Sequence, residues 1–301
     1  MPRPSWRGGQ HPSVHTVGSR RAVVPLAAIS RHAPGTVQKV HHHYGMANNA
    51  CGEEYPMAYY DTIAHQYQAI ADALPLREPE WYSLHLRLGD VTGLSVLDLA
   101  CGDGMGSRRL KQWGAARVVG VDLSASIIAL AQQQEHAYPL GIEYRVADVA
   151  GLGAIGAFDC VTASYLLHYA QSRAHLCQMV QTVYDNLKPG QRFVASNLNP
   201  DRPPQPFLDY GRYGHTLRLV DAPLRAWSTI HTTLLLGAKT VEFDIYWAPW
   251  TIYEEVFRSV GFQTWTREPY IIPPSLAYTY GEGFWDAYLA APSLVHFICQ
   301  K

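Results

Sequence analysis

Short, mostly apolar runs recur along the chain. They are Val96–Leu99, Arg117–Leu123, Ile142–Val149, Cys160–Ala163 and Phe193–Leu198. Runs without polar alternation are expected of strands covered on both faces, as in a parallel sheet. Between them the apolar spacing changes to the helical one. Ser107–Trp113 suits a short helix, Ser124–Gln134 a longer one with Ser124 as its N-cap, and His175–Leu187 a third. In the last of these, Leu176, Met179, Val180, Val183 and Leu187 share a face, and Lys188-Pro189-Gly190 ends it. Upstream, Glu54–Ala73 and Glu80–Leu88 read as helices, the second with Trp81, Leu84 and Leu88 at helical spacing. Strand and helix thus alternate from about residue 91 to residue 199, which predicts an α/β fold.

The second half departs from this rhythm. Asn199–Arg225 is rich in Pro, Tyr and Arg and too long for a simple connection, so it reads as an inserted wall or lid. Ser228–Gly237 and Lys239–Trp247 read as a hairpin with Phe243, Ile245 and Trp247 on one face. Thr251–Val260 is a helix ending at Gly261, and Gln263–Pro269 a strand. Tyr270–Gly283 is a loop, Phe284–Leu289 a short helix and Leu294–Cys299 the last strand. The expected divisions are therefore residues 46–90 as a helical lid, 91–199 as the core, 200–249 as a covering insertion and 250–301 as the end of the fold.

Composition narrows the classes. The chain has 301 residues, a net charge of −1 and only 16% charged residues, which argues against a nucleic-acid partner. No apolar run approaches the ~20 residues of a membrane span. The five cysteines show no paired spacing and read as reduced cytoplasmic thiols, with no metal site expected. Residues 1–45 carry six Arg or Lys and no acid, the composition of a disordered extension. Met46 is a plausible start, and an organelle transit peptide is the competing reading. His41–His43 reads as a solvated tract, since no acid or cysteine nearby completes a metal site.

The chemistry centres on Val96–Gly106, V-L-D-L-A-C-G-D-G-M-G. Gly102, Gly104 and Gly106 allow close approach of a ligand to the backbone at a helix N-terminus. The dinucleotide fingerprint would need glycine at 107, where Ser107 stands. Asp122 ends the second strand, where an acid can accept both hydroxyls of a ribose, and Asp148 ends the third. This order and spacing resembles the class I S-adenosylmethionine (SAM)-dependent methyltransferases over roughly residues 60–200. A weaker likeness, to small-molecule methyltransferases of the toxoflavin-biosynthesis type, runs to the C-terminus. The resemblance implies a Rossmann-like, seven-stranded, mostly parallel sheet with an antiparallel last strand and an added substrate lid.

It also implies SAM as cofactor and a set of site residues. Asp98, Ala100, Gly102 and Gly104 would form the cofactor loop. Asp122 would hold the ribose, Leu123 would lie on the adenine, and Asp148 and Val149 would bind the adenine edge. Ser164 would lie beside the sulfonium. The pattern Tyr60-Asp61-Thr62-Ile63-Ala64-His65-Gln66-Tyr67 resembles a lid helix whose tyrosines line the site, although Tyr60 and Tyr67 on one face also suit simple packing. Arg77 is open between pairing with the SAM carboxylate and a surface role, and Asp148 between adenine and a helix cap. His168, with Tyr169 and Tyr67, is the expected catalytic group. His168 reads either as a neutral base or as a residue shaping the wall. Tyr165 is a further candidate for positioning substrate. The 19 tyrosines and 8 tryptophans suggest a flat or apolar acceptor, heteroaromatic or prenylated, with N, O and C all open as the methylated atom. A homo-oligomer is compatible with this reading. The rivals are a SAM-binding regulator without turnover and a nicotinamide oxidoreductase.

Overall fold

The structure is a computed structural model and describes residues 46–48, 54–56, 70, 73–202 and 210–301. Two short strands come first, β1 (Met46–Asn48) and β2 (Glu54–Pro56), paired antiparallel. The expected helix from Glu54 is therefore corrected at its start. Proline at 56 disfavours helical backbone at Tyr55, and the segment pairs as a strand instead. Tyr60 and Tyr67, with the lid role expected of them, lie outside the described residues, as does the basic segment 1–45.

Helix α1 (Arg77–Leu88) leads into β3 (Ser95–Leu99), α2 (Met105–Gln112), β4 (Arg117–Asp122) and α3 (Ala125–Ala137). Then come β5 (Ile142–Val146), β6 (Phe158–Ser164), α4 (Arg173–Asn186) and β7 (Leu187–Leu198). The chain ends with β8 (His215–Leu219), β9 (Ser228–Leu236), β10 (Lys239–Trp247), α5 (Trp250–Val260), β11 (Thr264–Pro269), α6 (Pro274–Tyr280), α7 (Asp286–Ala290) and β12 (Leu294–Gln300).

Seven strands form one sheet in the order β11-β12-β7-β6-β3-β4-β5. The pairs among β7, β6, β3, β4 and β5 are parallel, and β12 runs antiparallel to both β7 and β11. The mostly apolar runs have a direct cause. In β3, Leu97 and Leu99 face a core with Leu176, Val180 and Val183 of α4 and Val256 and Phe257 of α5. Val96 faces the opposite core, with Trp81, Leu84 and Leu88 of α1 and Leu110 of α2. Successive side chains point to opposite faces, and both faces are covered, so both are mainly apolar, with Asp98 buried through hydrogen bonds to Ser107 and Thr162.

The expected hairpin is present, but it has a third strand. β10, β9 and β8 form a separate antiparallel sheet. β8 lies in the segment read as irregular, and α6 in the segment read as a loop. Ile230 and Ile245 of this small sheet pack on Leu198, the last residue of β7. That contact sets the small sheet against the carboxyl end of β7. Beside it, Leu76, Tyr210, Tyr213, Trp285 and Tyr288 form an aromatic cluster, with Tyr213 and Trp285 stacked at 5.6 Å.

Candidate active site

The parallel strands β3, β4, β5 and β6 end on one edge, and the glycine loop turns there. Ala100, Gly102 and Gly104 all have positive φ, at 54°, 56° and 83°. The loop needs that left-handed backbone to pass from β3 into α2. At Gly104 a side chain is also excluded by space, because a Cβ there would meet the Tyr144 hydroxyl at 2.2 Å.

Asp98 is not turned toward the open edge. Its Oδ2 accepts from the Ser107 hydroxyl at 2.6 Å and its Oδ1 from the Thr162 hydroxyl at 3.1 Å. Burial pushes its pKa up to about 6, with both hydroxyls opposing the shift. Asp98 therefore ties the loop to the first turn of α2 and to β6. That role holds in place the loop in which the sequence resemblance sets Asp98.

Asp122 stands where a ligand at the sheet edge would meet it. Its Oδ2 accepts from the Gly102 N–H at 2.9 Å and its Oδ1 from the Ser124 N–H at 2.9 Å. The carboxylate thus lies against the glycine turn. Leu123, the next residue, is 53% exposed, an apolar side chain left uncovered beside a charged one. Asp148, expected to end the third strand, lies two residues past the end of β5. The Asp122 carbonyl accepts from the Ala147 N–H at 2.9 Å, which joins the two strand ends. The Asp148 side chain accepts from the Ala150 N–H at 2.9 Å and so caps the short turn Val149–Gly151. The cap reading of Asp148 is therefore realised for Oδ1. Val149 is buried behind it, its carbonyl accepting from the Thr182 hydroxyl at 2.7 Å.

Ser164 ends β6 opposite Ser196 of β7. The chain then turns sharply through Tyr165, which has φ of 65° and whose N–H donates to the Ser196 carbonyl at 2.8 Å. This turn directs Tyr165, His168 and Tyr169 into a narrow cleft. Its walls are mostly apolar. They come from Leu74, Leu76 and α1, from Leu198 of β7, and from Leu217, Leu234, Phe243 and Ile245 of the small sheet.

His168 is 3% exposed, and burial pushes its pKa down to about 3. Its Nδ1 accepts from the Leu198 N–H at 3.3 Å. A backbone N–H can only donate, so the ring proton resides on Nε2. Burial thus favours a neutral ring with Nδ1 occupied and the proton on Nε2. Nε2 has no partner within the protein.

Arg77 lines this same cleft and has a partner other than a cofactor carboxylate. Its Nη1 donates to Glu80 Oε2 at 2.8 Å. Glu80 was not among the residues singled out from sequence. It is 1% exposed, lines the cleft, and its Oε1 has no partner. A signal for it existed. Glu80, Leu84 and Leu88 fall at intervals of four on α1, so Glu80 is an acid on the apolar stripe. Thr232 and His215 of the small sheet also line the cleft, and Thr232 Oγ1 is buried without a partner. No single-sequence signal marks these two, because β8 and β9 reach the cleft only through tertiary packing.

A glycine turn at the carboxyl edge of a 3-2-1-4-5-type parallel sheet, an acid gripping that turn and an antiparallel strand near the far end define the class I methyltransferase architecture. Comparison with known proteins agrees. Residues 96–190 match the family described as "Methyltransferase domain". They form a methyltransferase domain of the class I, SAM-dependent kind. Over 161 residues the chain is 29% identical to a ubiquinone biosynthesis O-methyltransferase of Azotobacter vinelandii, covering 50% of this chain and 65% of that one. Over 185 residues it is 29% identical to N-demethylindolmycin N-methyltransferase of Streptomyces griseus, covering 60% and 74%. The chain thus spans less than two thirds of the Azotobacter enzyme. In fold it is similar to a SAM-dependent methyltransferase from Mesorhizobium loti (TM-score 0.55, 22% identity, 74% of this chain and 98% of that one). It is also similar to the CcbJ methyltransferase of Streptomyces caelestis (TM-score 0.56, 18% identity, 81% and 97%).

Proposed function

We propose that this protein transfers a methyl group from SAM to an apolar or aromatic small molecule, in the biosynthesis of a secondary metabolite. The observation that carries the reading is the Asp122 carboxylate held 2.9 Å from the Gly102 N–H at the sheet edge. The residues there suit a nucleoside. The Asp122 carboxylate can accept from ribose hydroxyls, the exposed Leu123 offers an apolar surface to a base, and Asp148 stands just past the end of the adjoining strand. When bound, SAM supplies a methyl group on a cationic sulfur, which a nucleophile can displace. The protein's part is to align the acceptor and exclude water. The cleft beside Ser164 supports this, with aliphatic walls and few polar atoms. Two of the methyltransferases that the chain resembles act, by their names, in ubiquinone biosynthesis and on N-demethylindolmycin. A small-molecule acceptor is consistent with both. No helix among the described residues is long and apolar enough to cross a membrane. The four described cysteines are all free, which supports a reducing, cytoplasmic setting.

Titration calorimetry tests the reading. S-adenosylhomocysteine (SAH) should bind, and NAD should not. Asp122→Ala should weaken SAH binding by at least about 10-fold, as expected when a hydrogen bond to a charged group is lost. NAD binding without SAH binding would refute the assignment.

A further inference from the structure

Three polar atoms in the walls of the cleft are buried and unpartnered: Glu80 Oε1, His168 Nε2 and Thr232 Oγ1. Buried polar atoms are rarely left unpaired, since each forfeits its bonds to water. Three such atoms in residues around one apolar cleft point to a ligand that completes them.

Their chemistry differs. His168 Nε2 carries a proton and donates. A carboxylate oxygen only accepts. Glu80 is held in one orientation by Arg77, which engages Oε2 and leaves Oε1 over. Arg77 also lies over the Trp81 ring, 5.9 Å from its centroid, so the guanidinium is itself held from a second side. Tyr165, at the turn after Ser164, is close enough to Glu80 for the two to interact electrostatically. Glu80 and Tyr165 thus line the same cleft, and Tyr165 directly follows Ser164 at the end of β6.

We infer that Glu80 Oε1 receives an N–H or O–H of the substrate, so that the cleft selects apolar molecules bearing an amine, an N–H heteroaromatic ring or a hydroxyl. This rests on the methyltransferase reading of the cleft and narrows its substrate class. Fully substituted amines, ethers and hydrocarbons of equal size lack the hydrogen that Glu80 needs. They would leave a desolvated carboxylate oxygen unpaired, which is costly. Glu80 thus becomes a specificity-determining residue, with Arg77 as its positioning partner and His168 as the complementary donor.

The test uses the full chain saturated with SAH and two matched pairs of probes. They are 4-butylaniline against N,N-dimethyl-4-butylaniline, and 4-butylphenol against 4-butylanisole. Calorimetry should show the hydrogen-bearing member of at least one pair binding tenfold or more tighter than its capped partner. In Glu80→Met that preference should fall to within about twofold while SAH affinity is unchanged. In Glu80→Gln, whose amide oxygen still accepts, part of the preference should remain. Equal binding within both pairs by the unaltered protein overturns the inference, whether or not any variant folds. Binding of no probe, or a preference that survives in Glu80→Met, also overturns it. If SAH binds and the preference is missing, this inference alone fails. If SAH does not bind, the methyltransferase reading fails and the inference falls with it.

Discussion

Asp98 shows how one residue fixes the cofactor loop without reaching toward a ligand. Its carboxylate is enclosed and bridged by Ser107 and Thr162. Burial raises its pKa from the ordinary 3.8 to about 6. The folded state therefore holds a proton that the unfolded chain has released. Between pH 3.8 and 6 the folded form binds more protons, so Asp98's contribution to stability falls as pH rises. Above pH 6 the full cost, about 3 kcal/mol, is present. Asn at this position keeps the shape, can accept from Thr162 and can donate to Ser107, but carries no charge. Asp98→Asn should thus be at least as stable as the parent at pH 8. The parent's advantage at acid pH should vanish, and the difference between the two stability curves should track pH between 4 and 6. Urea unfolding at several pH values measures this, and parallel curves would show that the Asp98 charge is not desolvated as described.

At the scale of elements, the central parallel strands and their glycine turn were legible in the sequence because burial on both faces keeps β3, β4 and β6 mostly apolar, whereas β5 at the sheet edge alternates with Glu143 and Arg145. The place of Asp122 at the end of β4 was legible because the apolar run stops there, just before the helix cap Ser124. The small sheet was only partly so. Its hairpin alternates apolar and polar residues, but β8 is half wet, with the burial pattern buried, intermediate, intermediate, exposed, intermediate. Such a strand has no period to read and forms because β9 offers it an edge. Glu80 was passed over because an acid in the first turn of a helix, three residues from Arg77, is ordinary in a sequence, and only the tertiary packing shows it buried in the cleft. The same dependence on packing explains Gly120, in the middle of β4. A Cβ there would stand 2.8 Å from Tyr144 Cδ1, 2.9 Å from Cys101 Sγ and 3.0 Å from Ser107 Oγ. The strand is thus seated directly beneath the glycine loop. Gly120→Ala should push Cys101 and Ser107 away from β4, costing about 1–3 kcal/mol of stability and weakening SAH binding. Tyr144→Leu in the same chain should recover part of the stability, since it removes the nearest obstacle. Unfolding of the two variants together with SAH titration checks this, and an unaffected Gly120→Ala would mean that the loop has slack.

For the whole molecule, the join between the large sheet, the small sheet and the C-terminal aromatic cluster is built around neutral histidines. His168 stands at the turn after β6. His215 opens β8, bonded through Nε2 to the Ser293 hydroxyl at 2.9 Å and stacked on Tyr210 at 5.0 Å. His296 lies in β12, with Nδ1 3.2 Å from the Ser196 hydroxyl and its ring 4.7 Å from that of Tyr270. Burial pushes their pKa values down to about 3, 4 and 3. The unfolded chain protonates each near pH 6.5, so stability is intact above that pH and is lost as pH falls toward 4. Each histidine costs about 1.4 kcal/mol per pH unit in that window, and Asp98 opposes with one proton of its own below pH 6. The net uptake on unfolding is about two protons, a loss of about 3 kcal/mol per pH unit. The denaturant midpoint should therefore drop steeply between pH 6 and 4.5. His296→Gln, if folded, should flatten that slope by about one proton. Because His168 and His215 line the cleft between the two sheets and His296 lies beside Ser196 in the large one, hydrogen exchange at pH 5 should rise first around residues 196–198, 215–219 and 293–296, before it rises in β3 and β4. A midpoint that holds constant from pH 6.5 to 5 would mean that these rings are reached by water, and that the join between the two sheets is looser than its packing shows.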